Sequence, residues 1–284
     1  MIIDVHTHTF PDKIAAAAVE KLQSSSHTKA FANGTVSDLR LSMARAGIDV
    51  SISLPVATNA RQVPHINDAA IHTHEARMET GVDSFGGMHP DYDGWAEEME
   101  RLCAAGIGGI KLHPPYQQVD FDDERYLRVL RKAAALRMPV LIHAGKDVGL
   151  PGAEQATPEK VRRALDRVPD ATLILAHMGG WRCWEAVEKL LPGYPVYLDT
   201  SFALGSMLPS GDGFYKTAGE LAMLTPEGFM DLVRAFGPER ILFGSDCPWS
   251  DQAEYLARVA ALPLTEDERA AILGGNAEKL LFCH

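Results

Sequence analysis

Two imidazoles two residues apart open the chain, in Met1-Ile2-Ile3-Asp4-Val5-His6-Thr7-His8. A run of β-branched and aliphatic residues without helical spacing reads as a strand, and residues two apart in a strand project to one face. His6 and His8 therefore point the same way and offer half of a zinc-type coordination sphere, to be completed by His, Asp or Glu from elsewhere. Further groups of the right kind follow at intervals: His89, Lys111 with His113, His143, His177, Asp199 and Asp246. The pair His72-Thr73-His74 repeats the spelling inside a helical stretch, where residues two apart do not share a face. It reads as solvent-exposed, along with His27, His65 and His284.

These groups need elements that bring them together. Each closes a short apolar run: Asp49 to Leu54, Ser84 to His89, Gly108 to His113, Pro139 to His143, Thr172 to His177, Val196 to Ser201 and Arg240 to Asp246 follow the first strand. Helical sequence separates them, over about 12–26, 36–46, 65–80, 92–105, 122–137, 158–168, 181–191 and 225–236. Alternation puts Val50, Ile52 and Leu54 on one face, which helices could cover, and Ser51 and Ser53 on the other. In the fourth strand Gly109, Lys111 and His113 share a face; in the last, Leu242, Gly244 and Asp246 do. Eight strands alternating with helices, without a linker, predict one domain over 1–284 folded as a closed (β/α)₈ TIM barrel. An open doubly wound sheet would carry a Gly-rich turn after its first strand, where His6-Thr7-His8-Thr9-Phe10-Pro11 stands instead. In a barrel the strand ends open on one face and carry the site, and the irregular stretches at about 144–157 and 202–224 lie over its mouth.

Composition narrows the partners. The net charge of −11 and the lack of a Lys/Arg cluster exclude a nucleic-acid footprint, and no stretch approaches a membrane span, so a small molecule is the expected substrate. Cys103, Cys183, Cys247 and Cys283 have no Cys-x-x-Cys spacing and read as free thiols. No basic segment with an apolar core precedes the first strand, so a cytoplasmic location is expected. A homo-oligomer is compatible with the sequence, which leaves the oligomeric state open.

The chain resembles the amidohydrolase superfamily, and within it the amidohydrolase-related family. The resemblance rests on Asp4-Val5-His6-Thr7-His8, Gly109-Ile110-Lys111-Leu112-His113-Pro114, Val140-Leu141-Ile142-His143, Leu175-Ala176-His177-Met178-Gly179-Gly180, Leu198-Asp199-Thr200-Ser201, Phe243-Gly244-Ser245-Asp246 and the closing Gly274-Gly275-Asn276-Ala277. It implies one divalent metal, most often zinc, held by His6, His8, His143 and Asp246, with a position left for water. Asp246 would carry that water's proton, and His177 would polarise the substrate carbonyl or act as an acid or base. Lys111 has two implied states: carboxylated and bridging a second ion held by His143 and His177, or an unmodified ammonium pairing with Asp246 or a substrate carboxylate. Asp4, taken as inward-facing, reads as a partner to a ligand or a buried barrel acid. His113, Trp249 and Arg182 are candidate substrate contacts, the last as a carboxylate clamp, with Trp181 a further aromatic near the rim. The expected function is hydrolysis of an amide, lactone or related ester. The alternative is a metal-dependent non-oxidative decarboxylase or hydratase acting on an aromatic or unsaturated acid, which needs a flat aromatic slot and a held carboxylate. A binding protein on an inactivated barrel would lack a ligand, and none is missing.

Overall fold

The computed structural model describes residues 1–282. Cys283 and His284 therefore lie outside the described residues. Nine parallel segments, β1 (Ile3–Thr7), β2 (Val50–Ser53), β3 (Val82–Ser84), β4 (Gly86–Gly87), β5 (Ile110–Leu112), β6 (Val140–Ile142), β7 (Leu173–Leu175), β8 (Tyr197–Asp199) and β9 (Ile241–Leu242), pair in chain order. β3 and β4 are halves of one strand broken at Phe85: the Phe85 N–H donates to Ser53 O at 3.0 Å and the Gly86 N–H to Gly109 O at 2.9 Å. The ring closes between β9 and β1, where the N–H of Val5 donates to Phe243 O (2.9 Å), that of Asp246 to His6 O (2.8 Å) and that of His8 to Cys247 O (2.7 Å). The result is the eight-position TIM barrel expected from the alternation of types.

The apolar residues of the strands divide between two covered faces. Ile110, Leu112, Val140, Ile142, Leu173 and Leu175 face the helices and join a core with Leu127, Leu130, Val161 and Leu165. Ile3, Val5, Ile52, Leu54, Phe85, Leu141, Ile174 and Leu242 fill the barrel interior. This corrects the reading of β2: its apolar side is the interior side, and a helix covers Ser51, while Ser53 lines the cavity and bonds Thr9 Oγ1 at 2.6 Å. Ser51 Oγ accepts from Gln252 Nε2 at 3.2 Å, and Gln252 belongs to the helix Gln252–Ala260. The helix Val36–Ala46 shows how local sequence sets the boundaries, with the Thr35 side chain capping the Asp38 N–H and Gly47 ending it at φ 70°.

A helix at Asn276–Leu281 closes the floor of the barrel, placing Ala277 and Leu281 against the interior residues. Asn276 Nδ2 donates to Pro238 O and Ile241 O at 2.8 Å each. A Cβ at Gly274 would lie 2.2 Å from Met1 O, so only glycine lets this segment pass beneath β1. The floor thus holds stability rather than chemistry. Leu141→Ala, which hollows the fully buried interior, is expected to lower unfolding free energy by about 2–5 kcal/mol in a urea titration while leaving metal affinity unchanged.

Candidate metal centre and active site

The first strand delivers its histidines by an irregularity. Asp4 pairs with Ser51 and Thr7 with Ser53, so β1 carries one residue more than β2 between these points. Ile3 and Val5 point inward below the bulge, and His6 and His8 line the cavity above it. Asp4 accordingly faces outward, which corrects its inward placement. Its carboxylate accepts from Ser245 N (2.9 Å), Ser245 Oγ (2.5 Å), Gln252 Nε2 (2.7 Å) and His6 N (3.1 Å), tying β1 to the segment that carries Asp246. Burial pushes its pKa up to about 6, against those hydrogen bonds.

Lys111, His143, Asp199 and Ser201 reach the barrel axis by simple alternation. His177 follows the inward Ala176 and would point away, but its left-handed backbone (φ 60°), continued at Met178 (φ 55°), turns it to the cavity; Asp246 sits at φ 67°. Gly244 makes room for this convergence, since a Cβ there would lie 2.9 Å from His6 Cβ.

Hydrogen bonds to groups that can only accept fix most of the imidazole tautomers. His6 Nδ1 donates to Asp199 Oδ2 at 2.8 Å, His8 Nδ1 to Leu54 O at 2.9 Å, His143 Nε2 to Lys146 O at 3.0 Å and His177 Nδ1 to Ser201 O at 2.9 Å. Each ring then turns its remaining lone pair to the cluster. His8 Nε2 lies 3.2 Å and His6 Nε2 3.6 Å from Asp246 Oδ1, and His143 Nδ1 lies 3.1 Å from His177 Nε2. Lone pairs this close repel unless a positive charge, a proton or a metal ion, stands between them. Protonation is disfavoured where it can be judged. Burial, then the His143 charge, pushes His177 down to about 3, and burial lowers His143 and takes His6 well below its ordinary value. Burial opposes the charge of Asp246, and its pKa stays at about 2 only while positive charge stands at His6 and His8. A divalent metal fits this donor set, with Nδ1–H partners orienting the rings as such sites require.

His6, His8 and Asp246 form one group whose ligand atoms all lie within 4.8 Å of one another. His143, expected beside them, belongs to a second group with His113 and Asp147. Here His113 is a helix cap: its Nδ1 accepts the Tyr116 N–H at 3.4 Å, so its Nε2 bears the proton and faces Asp147 Oδ2 at 3.6 Å. The rings of Tyr116, His113 and His143 stack in a column, with centroids 4.0 and 4.3 Å apart. Asp147 was missed in sequence; its one signal was a position four residues after His143, at the start of an irregular stretch. Lys111 Nζ has His6 Nε2 at 3.4 Å and, among the described residues, no ion pair with Asp246. Burial lowers its pKa to about 8, against the fields of Asp199, Asp246 and Asp147.

The cavity above these groups has a volume of about 900 Å³ and is walled by Phe10, Leu54, Ile66, Trp181, Phe202 and Trp249. Trp249 and His113 line it as expected. Arg182 does not: it is exposed, lies over the Trp181 ring at 4.7 Å and donates to Glu220 O and Ala222 O, so it clamps two loops and is not free to hold a carboxylate. His89 lies apart, its Nδ1 accepting the Asp91 N–H at 3.1 Å. Two histidines read as exposed are not. His74 is buried and bonded to Asp83 (2.7 Å), because its side of the helix Val63–Glu75 faces β3. His27 is half-buried, stacked on Phe214 at 3.8 Å and bonded to Asp212 at 2.6 Å.

Asp199 orients His6 by accepting its Nδ1–H. Asp199→Asn is expected to weaken metal binding by roughly 10- to 100-fold, read by competition with a chelator.

The amidohydrolase family (Amidohydro_2) matches residues 3–283. The chain belongs to that family. It is thereby an enzyme of the amidohydrolase superfamily, and among solved structures it resembles the 5-carboxyvanillate decarboxylase of Sphingomonas paucimobilis (18% identity, 99% of this chain and 98% of that one, TM-score 0.70). It is similar also to the 2,6-dihydroxybenzoate decarboxylase of Rhizobium (19%, 98% of each chain, TM-score 0.67). A third is the 5-carboxyvanillate decarboxylase of Novosphingobium aromaticivorans complexed with manganese and 4-hydroxy-3-methoxy-5-nitrobenzoic acid (15%, 99% and 95%, TM-score 0.72). No curated protein matches in sequence. These likenesses establish the fold of this amidohydrolase-family chain. They also correct the expectation of a hydrolase, since the similar structures named for a reaction are decarboxylases. No helix among the described residues is long and apolar enough to cross a membrane.

Proposed function

We propose that this amidohydrolase-family enzyme removes carbon dioxide, without oxidation, from an aromatic or unsaturated carboxylic acid. The observation that carries the reading is Lys111. A buried amine with, among the described residues, no carboxylate at ion-pair distance, at the base of a cavity walled by Trp181, Phe202 and Trp249, asks for a flat, apolar ligand with its negative charge at the reacting end. A neutral ester or amide bond there would leave Lys111 unpaired.

One divalent ion would be held by His6, His8 and Asp246, with the free lone pair of His143 Nδ1 as a further donor. Bound, it supplies a Lewis acid that anchors substrate oxygens and offsets the charge developing on them. The sequence pointed to zinc and one relative is complexed with manganese; imidazole and carboxylate donors accept both. The chain's own residues then divide the work. Lys111 Nζ draws in the carboxylate. The aromatic wall holds the ring flat and keeps water out, which favours a product less charged than the acid. As the bond to the carboxyl carbon breaks, its electron pair stays on the ring or alkene carbon, and one proton must be added there. Asp246, the carboxylate at the centre of the cluster, is positioned to take that proton up and pass it on. His177, kept neutral by burial, keeps its Nε2 lone pair available to a substrate hydroxyl.

The test loads the protein with manganese or zinc and measures metal content and carbon dioxide released from aromatic and unsaturated acids. About one ion per chain and metal-dependent release are expected. Turnover of lactones or amides with no release from any acid would overturn the reading.

A further inference from the structure

In the second group of polar residues the hydrogen bonds do not close. Asp147 Oδ1 accepts the Gly149 N–H at 2.8 Å and the Leu150 N–H also favours the carboxylate, which fixes it with Oδ2 turned to the histidines. Oδ2 stands 3.6 Å from both His113 Nε2 and His143 Nε2, too far for a direct hydrogen bond. The His143 proton is already given to Lys146 O. His113 Nε2 carries a proton because Nδ1 accepts the Tyr116 N–H, and that proton has no acceptor at bonding distance. All these residues except Gly149 and Lys146 line the cavity and all but Tyr116, Gly149 and Lys146 are buried. So one donor and one acceptor, 3.6 Å apart, face the same gap with nothing joining them. A single oxygen can lie at ordinary hydrogen-bond distance from both.

The group that fits must accept from His113 and donate to Asp147. A methoxy oxygen only accepts and an ammonium only donates, whereas a hydroxyl does both. Leaving this pair open in a cavity filled by an apolar ring would strand a buried donor and a buried acceptor. The stacked rings of Tyr116 and His143 on either side of His113 keep the donor from swinging away.

We infer that Asp147 and His113 form a hydroxyl-selecting subsite, which restricts the enzyme to acids bearing a hydroxyl. The inference rests on the proposed function for the acid itself and adds the identity of its second polar group. Asp147 and His113 act as specificity residues, and neither takes part in proton transfer.

Equilibrium binding to the manganese-loaded protein tests this without turnover. Calorimetry compares hydroxybenzoates with the corresponding methoxybenzoates and with benzoate, on the wild type and on Asp147→Asn. The wild type is expected to bind at least one hydroxy acid roughly 10- to 100-fold more tightly than its methoxy partner. In Asp147→Asn the amide oxygen keeps the Gly149 N–H and the amide nitrogen turns a donor to the gap, so the preference is expected to reverse towards methoxy. Benzoates that bind the wild type equally, with or without a hydroxyl, would overturn the subsite and leave the decarboxylase reading standing. A protein that binds no acid at all would overturn both. The ligand series on the wild type decides the question even if the variant folds poorly.

Discussion

Asp246→Asn is expected to lower turnover of the metal-loaded enzyme by about 10²- to 10⁴-fold, with a melting temperature close to that of the wild type. Two features make this substitution informative. Asp246 lies at φ 67°, a left-handed conformation that asparagine adopts readily and most other residues resist, so the backbone is left alone. The amide keeps the shape of the carboxylate but cannot carry a proton between solvent and a carbon atom. The same change removes the repulsion between Asp246 Oδ1 and the lone pair of His8 Nε2, 3.2 Å apart, because the amide nitrogen can donate to it. The metal-free variant should therefore be no less stable than the metal-free wild type. Wild-type turnover at equal metal content would sink the role given to this carboxylate.

His6→Ala is expected to act at an earlier stage, by removing the metal. His6 supplies a lone pair at Nε2 and, through Nδ1, is the partner of Asp199 and Ser201. Losing a donor should weaken binding beyond the roughly 10- to 100-fold expected for losing an outer partner, so Asp199→Asn is its natural control. The change also leaves Oδ2 of the fully buried Asp199 without its His6 partner while Oδ1 keeps the His177 and Ser201 N–H groups, a cost of about 1–3 kcal/mol. A chelator competition and a urea titration read the two effects separately. Unchanged metal occupancy in His6→Ala would show that the lone pairs of this cluster converge on something other than a cation.

Much of the framework was legible because the forces behind it are periodic. Alternation placed Lys111 on the inner face, strand ends marked His143 and Asp199, and the Val36–Ala46 helix ended at Gly47. Period-two reasoning failed where the strand itself was irregular. One extra residue in β1 sent Asp4 outward while keeping His6 and His8 inside, and a left-handed turn, not alternation, aimed His177. The covered side of β2 was inverted because alternation identifies two faces without saying which one meets helices and which meets the barrel's interior. Loop geometry was the least readable. Asp147 and Arg182 exchanged importance once the stretches after β6 and β7 were folded, since a loop residue's direction depends on bonds to distant carbonyls such as Glu220 O and Ala222 O. The exposed reading of His74 failed for a simpler reason: a helix packed on a barrel has an inner side as well as an outer one.

The passage of Gly274 beneath Met1 joins the first strand and the last helix at the pole opposite the cavity. Met1 is exposed there. A molecule anchored to a surface through the side that carries Met1 would therefore present its open mouth to the bulk liquid, and ligands could be exchanged over one immobilised sample without the support obstructing their entry.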